Sequence, residues 1–311
     1  VYKRQGPAPT LPGILGASAP KINNADMKSY GWEMELSWRD RIEDFNYGVR
    51  FTLADGQRKV LKYPNESGDI YSWYNNKLDG TIWGYTTVGI AQTQEEMDAH
   101  LANNKPNWGS NWGAGDIMYA DLNGDGEVTS GSKTLNDHGD LKVIGNSYAR
   151  YNFGFTVDGS WRGLDFSIFL QGTMKRDYWL DGPYFWGASG DEWQSACFTE
   201  HLDYWTPEHT NAYYPKPYFG NIKKNQEVQS GYLQNAAYLR VKNVQVGYTL
   251  PKSWTKKAAM ESVRFYVSGD NLLTWTGISS IFDPETLGGD WGPGKLYPLQ
   301  RTLSVGVNVN F

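Results

Sequence analysis

The chain has 311 residues, enough for one large β domain or two ordinary ones, and carries 14 Trp, 21 Tyr, 12 Phe and 35 Gly, with 40% hydrophobic and 20% charged residues. A net charge of -5 without a basic block argues against nucleic-acid binding, and no stretch approaches the ~18 apolar residues of a membrane helix. Cys197 is alone, so an internal disulfide is excluded.

The first five residues, VYKRQ, begin without Met or signal peptide and read as a junction scar; the chain is read as a fragment. Residues 6–27 are rich in Pro and Gly and read as the end of a loop whose preceding strand is missing. The first alternating segment is YGWEMELSWR, where Trp32, Met34, Leu36 and Trp38 oppose Glu33, Glu35 and Ser37. The second is FNYGVRFTL, with Phe45, Tyr47, Val49, Phe51 and Leu53 against Asn46, Gly48, Arg50 and Thr52. Between this and the next, TQEEMDAHLANN has Thr93 and Glu96 at capping-box spacing and reads as a short helix.

Tyr151, Phe153, Phe155, Val157 and Trp161 then alternate with Asn152, Gly154, Thr156 and Asp158. After Arg162-Gly163 the pattern returns as Leu164, Phe166, Ile168 and Leu170 against Asp165, Ser167 and Gln171. YLRVKNVQVGY alternates as Leu239 and Val241, then as Val244, Val246 and Tyr248, a parity slip that places a bulge near Asn243. Val263, Phe265 and Val267 form a sixth segment, and Leu303, Val305, Val307 and Val309 a seventh that closes on Phe311.

These seven segments run about 9–12 residues, against about 5–6 for an ordinary strand and about 9–11 for a tilted membrane strand. The charges fall on the polar faces; an Arg or Lys facing lipid costs roughly 2–4 kcal/mol at mid-bilayer. Connections alternate short (39–44, 162–163), medium (250–261) and long (55–147, 172–236, 274–301). An antiparallel outer-membrane barrel has short turns on one side and long loops on the other. The expected fold is all-β: an antiparallel transmembrane β-barrel segment, a partial barrel with long extracellular loops containing short helices. Seven strands is odd, and open edges cannot face lipid, so further strands from upstream are expected. A secreted glycan-binding β-sandwich is the competing architecture, and a self-sufficient small barrel a third.

Several stretches resemble one family, the SusC/RagA-like TonB-dependent transporters of the Bacteroidota outer membrane. They are GDIMYADLNGDGEV, HLDYWTPEHTNAYYP, NAAYLRVKNVQVGYTLPKSW, VSGDNLLTWT with DPE, and YPLQRTLSVGVNVNF, with GWEMELSWRD as an earlier strand. Their order is kept from about residue 12 to residue 311, and residues 1–311 resemble the carboxy-terminal part of the barrel, without the plug domain. The resemblance implies import across a Gram-negative outer membrane of an oligosaccharide or a peptide. It implies a SusD-like surface lipoprotein as lid, TonB acting through the missing amino-terminal part, and outer-membrane lipid around the barrel. No enzyme is expected.

DLNGDGE places Asp121, Asn123, Asp125 and Gly126 at positions 1, 3, 5 and 6 of an EF-hand-type loop. Position 12 falls on Ser132; the family pattern, after an insertion, moves the matching acid to Asp140. The expectation is a structural Ca2+ on Asp121, Asn123, Asp125, the Glu127 carbonyl and Asp140, against an Asx-rich turn that holds no metal. Among the aromatics crowding the second long loop, Trp179, Trp186, Trp193 and Trp205 are taken as ligand-stacking candidates, against packing of the loop on its neighbours.

Overall fold

A computed structural model describes residues 2–5, 14, 16, 22–187, 197–218, 220, 223–288 and 292–311. Its strands are β1 (Tyr2–Gln5), β2 (Asn23–Ile42), β3 (Phe45–Lys62), β4 (Thr81–Gly84), β5 (Thr87–Ile90), β6 (Lys105–Pro106), β7 (Ile117–Tyr119) and β8 (Glu127–Val128). They continue as β9 (Lys142–Asn146), β10 (Arg150–Trp161), β11 (Leu164–Lys175), β12 (Asp177–Tyr178), β13 (Gln234–Thr249), β14 (Ser262–Gly277) and β15 (Thr302–Asn310). The short helices are α1 (Gln94–Leu101), α2 (Pro183–Trp186), α3 (Lys223–Gln226) and α4 (Lys252–Thr255).

All seven alternating segments lie in one antiparallel sheet, ordered β1-β2-β3-β10-β11-β13-β14-β15, with β12 added beside β13. Strand neighbours in space are neighbours in sequence apart from the loop strands, which is the up-and-down order of a barrel wall. The two ends of the path, β1 and β15, are not paired with each other.

The register stacks like with like. Ile42, Phe45, Trp161, Leu164, Tyr248, Phe265 and Val307 lie directly opposite one another across seven strands. Three residues back along β2, Arg39 begins a row of Gly48, Asp158, Ser167, Gln245, Ser268 and Ser304. Because side chains alternate faces, the first row and the second lie on opposite sides of the sheet. The apolar side is bare: Leu303 is 74% and Val305 81% exposed. No second sheet covers it, since the other described sheets are two-stranded. A β-sandwich would bury these rows at about 25 cal/mol per Å², so the competing architecture is not the one found. The segregation is not complete; Tyr266, for example, stands in a polar row between Gly247 and Gly306. Asp40 stands in an apolar row opposite Tyr47, and Phe169 stands in a polar row, opposite Thr156 and Asn243. Phe169 lies over Gly154, whose missing side chain leaves room for the ring.

Several boundaries differ from the alternation. β2 begins at Asn23 rather than in a loop to residue 27, and Tyr2–Gln5, read as a scar, pairs with it, Tyr2 opposite Met27. NNADMK carries no clear alternation; its extension comes from pairing, of Asn23 and Ala25 with β1 and of Met27 with Val60 of β3. The bulge expected near Asn243 is at Lys242, which is skipped in the register with both β11 and β14. The turn at 162–163 has φ of 47° at Arg162 and 92° at Gly163, the double left-handed geometry of a type I′ hairpin.

The dense core is not behind the sheet. It sits in the long connections 63–149, 176–233 and 278–301, where Ile70, Tyr119, Leu180, Phe185, Ile278 and Leu287 are buried together. These loops therefore fold as a cap at one end of the strands. Helix α1 belongs to it: Thr93 Oγ1 accepts the Glu96 N–H at 3.2 Å, the Glu96 carboxylate accepts the Gln92 N–H at 2.6 Å, and Met97 is buried.

Candidate functional site: the loop cap and the polar wall

On the polar side of the sheet, charges pair across strands. Arg50 meets Glu35 at 2.9 Å, Arg39 meets Asp158 at 3.7 Å, and Asn243 Nδ2 donates to Asp270 at 2.7 Å. Exposed pairs of this kind are worth about 0–1 kcal/mol each; their effect is to make this face wettable and nearly neutral.

Higher up, the pairs become buried and tie the cap to the wall. Arg240 on β13 donates from Nη2 to Asp283 (2.8 Å), from Nη1 to Glu285 (2.7 Å) and from Nε to Thr274 (2.8 Å). Lys242, the bulged residue, adds a contact to Glu285 at 3.1 Å. Burial pushes the Asp283 carboxyl up, but Arg240 and the N–H groups of Glu285 and Leu299 outweigh it and hold Asp283 below the usual range. The DPE motif thus clamps the third long loop onto YLRVKN. Across the cap, the Lys224 ammonium meets Asp116 at 2.7 Å with both side chains almost fully buried. Asp116 also accepts from the Gly113 N–H and from Asn225 Nδ2. Lys77 donates to three carbonyls, of Ile70, Tyr71 and Ser72, and burial lowers its pKa. Asp116, Lys224 and Lys77 carry no sequence signal as isolated residues; their roles arise only when distant segments meet.

The acidic turn is closed by its own backbone. Asp121 accepts the N–H groups of Gly124 (2.6 Å) and Gly126 (2.8 Å), which hold its carboxyl below the usual range. Asp125 accepts from the Glu127 N–H and from Asn123 Nδ2. Asp140, fully buried, accepts from Leu122, Asn123 and Thr129. Glu127 opens β8. Every carboxylate oxygen of Asp121, Asp125 and Asp140 therefore faces a donor. Among the described residues no three His, Cys, Asp or Glu gather as metal ligands. As arranged, the donor set is an Asx turn stapled by Asp140 rather than a cation cage.

The aromatic candidates separate. Trp186 and Trp205 are each 5% exposed and serve as packing. Trp186 lies 5.0 Å from the Tyr232 ring and 6.1 Å from half-buried Trp179. Trp205 packs over Gly115, where a side chain would collide with its ring. Trp193 lies outside the described residues. One apolar cavity of about 240 Å³ opens beside Trp186, lined by Leu202, Tyr204, Pro215 and Pro217.

No family model matches the chain. Among curated proteins it is 26% identical to TonB-dependent receptor P3 of Formosa agariphila, over 97% of this chain and 30% of that protein. It is 22% identical to TonB-dependent receptor SusC of Bacteroides thetaiotaomicron, over 93% of this chain and 27% of that protein. Over nearly its whole length the chain is similar to SusC/RagA-like TonB-dependent receptors. It spans about 30% of the length of the relatives it matches. The fold agrees: the structure titled RagAB peptide transporter superposes with a TM-score of 0.67 at 21% identity, over 97% of this chain and 31% of that one. The bare apolar rows and the paired polar face are therefore the two sides of a barrel wall, with the loop cap at one end of its strands.

Proposed function

We propose that this receptor segment is part of an outer-membrane, TonB-dependent importer that takes up oligosaccharides together with a SusD-like surface lipoprotein. The observation that carries the reading is the two-sidedness of the sheet: exposed Leu303, Val305 and Phe265 on one side, paired charges on the other. Such a wall suits lipid outside and water inside. The long connections all fold into one cap, the arrangement of outer loops that meet a substrate before the lumen. The relatives are named as receptors, and one similar structure as a peptide transporter. No catalytic role is proposed. TonB would act through the amino-terminal part of the whole protein.

A second reading, peptide import, has one observation in its favour. The cavity beside Trp186 is walled by Leu202, Tyr204, Pro215 and Pro217, which suits an apolar peptide side chain. The test is uptake by cells carrying the intact gene or a deletion. Labelled oligosaccharides and labelled peptides are supplied with the proton gradient intact or collapsed. Gradient-dependent uptake that the deletion abolishes supports import and identifies the cargo; equal uptake by both strains overturns it.

A further inference from the structure

The apolar side of the sheet carries two cations at its cap end. On β2 the row of Trp38, Leu36, Met34 and Trp32 continues towards the cap as Tyr30 and Lys28, and the facing row on β3 continues as Gln57 and Lys59. The register holds without a shift from Trp32 to Lys28, so Lys28 and Lys59 stand directly opposite each other on the apolar side. Residues so placed have Cβ atoms about 4.5–5.5 Å apart, and like charges there destabilise the pairing. Lys28 is exposed and Lys59 half-buried. Among the described residues neither ammonium meets a carboxylate, whereas Arg58, on the other side of β3, is taken by Asp79 at 3.1 Å. The nearest acid along β2, Asp26, lies opposite Lys62, so the cluster keeps an excess of positive charge.

The depth of the pair sets its surroundings. From Ile42 to Trp32 is about 33 Å of strand and, at ~40° tilt, roughly 25 Å of height, the thickness of the apolar band of a membrane barrel. Lys28 stands four residues further on, about 10 Å higher, at the level of lipid headgroups. Exposed Tyr30 and Trp32 lie just below it, where interfacial aromatics sit. The Lys28 ammonium is 5.5 Å from the centre of the Tyr30 ring, and Tyr30 Oη donates to Gln57 Oε1 at 2.8 Å, which holds the ring beneath the two cations. Each ammonium offers three donors and no acceptor. A phosphate monoester, with three strong acceptor oxygens and a charge of about -1.5 to -2, matches both lysines, whereas a carboxylate neutralises one. The bare row of Trp32, Met34 and Leu36 beneath gives acyl chains a place to lie, which a free anion does not need.

We propose that Lys28 and Lys59 form a binding site for the phosphate headgroup of a membrane lipid in the leaflet on the cap side, with its acyl chains along Trp32, Met34 and Leu36. The assignment rests on the reading of the apolar side as lipid-facing and is independent of the cargo.

The test uses the intact receptor in a neutral detergent. Native mass spectrometry and thermal unfolding follow its titration with phosphorylated lipid A, with the same lipid after removal of its phosphates, and with inorganic phosphate. The wild type should bind the phosphorylated lipid at least several-fold more tightly than the dephosphorylated one and gain melting temperature from it. The double variant Lys28→Gln, Lys59→Gln should lose that preference, and Lys28→Arg, Lys59→Arg should keep it. Arg39→Gln, on the polar side, should leave it unchanged. Without lipid the double Gln variant should melt no lower than the wild type, because it removes a repulsion. Equal binding of the two lipids by the wild type overturns the proposal, and this comparison needs no variant. So does a preference that survives in the double Gln variant, or a lower melting temperature of that variant without lipid, which would give the lysines partners within the protein. Inorganic phosphate binding as tightly as the lipid would make this a free-anion site and overturn it as well. Heat-modifiable mobility of the same preparations separates the readings. An assembled barrel that binds both lipids alike removes the lipid site alone, and absence of a heat-modifiable form removes the barrel reading and the site with it.

Discussion

Arg240 on β13 and Asp283 in the third long loop form a buried ion pair, Nη2 to Oδ1 at 2.8 Å, with side-chain exposures of 4% and 8%. The pair joins the barrel wall to the cap. It is also where two of the family-like sequence blocks, YLRVKN and DPE, meet.

Removing one partner of such a pair leaves a buried charge uncompensated, which costs roughly 3–5 kcal/mol. Arg240→Met should therefore release the third loop, seen as new proteolytic cleavage within 278–301 and a lowered melting temperature. The triple variant Arg240→Met, Asp283→Asn, Glu285→Gln should recover part of the loss. Cleavage unchanged in the single variant would show that the clamp does not hold the loop.

The same clamp has a pH signature. Asp283 is held below its usual value of 3.8, so its contribution is present above that value and is lost as pH falls through the lower, folded-state value. Hydrogen exchange in 278–301 should stay slow from neutrality down to about the unfolded Asp value and accelerate only in stronger acid. Acceleration already near the pKa of histidine would assign the loop's stability to another group.

Val305 and Ser304 are adjacent on β15 and face opposite sides of the wall. Val305→Arg should cost about 2–4 kcal/mol, the depth-dependent penalty of a cation against lipid. Ser304→Arg should be tolerated. Heat-modifiable gel mobility reports assembled barrel: it should fall for Val305→Arg and persist for Ser304→Arg. Equal behaviour of the two variants would remove the assignment of the apolar side to lipid.

The Asp121 turn should not need a cation. Chelator should leave the melting temperature of the intact receptor unchanged, and Asp140→Ala should lower it. That substitution removes the buried carboxylate that accepts the N–H groups of Leu122, Asn123 and Thr129, a loss of about 0.5–1.5 kcal/mol per bond. A calcium-dependent rise in melting temperature that Asp125→Ala abolishes would restore the metal reading of Asp121, Asn123, Asp125, Glu127 and Asp140.

The wall was legible because its signal is local. Period-two alternation in β10, β11 and β15 needs only the chain itself, and even the bulge at Lys242 announced itself as a slip from Val241 to Val244. The ends of β2 and β3 were less so. Residues 23–28 and 54–62 are extended because they pair with neighbouring strands, 54–62 with 26–33 of β2 and Asn23 and Ala25 with β1, not because they alternate. Phe169 stands on the polar side for a reason outside its own strand, the space above Gly154.

The cap divides in the same way. Thr93 and Glu96 at fixed spacing mark the start of α1, and the oxygens of Asp121 and Asp125 find their donors within five residues, so helix and turn are properties of short segments. What Trp186 and Trp205 do depends on contacts with segments far along the chain. Composition marks them as large aromatic faces, and only the fold shows that Tyr232 packs against Trp186 and Gly115 against Trp205. The sequence by itself determined which side of each strand is apolar, because alternation is set one residue at a time. Only the tertiary structure decided where the buried charges of Arg240, Asp283, Asp116 and Lys224 find partners, because each pair closes across tens to a hundred residues of intervening loop.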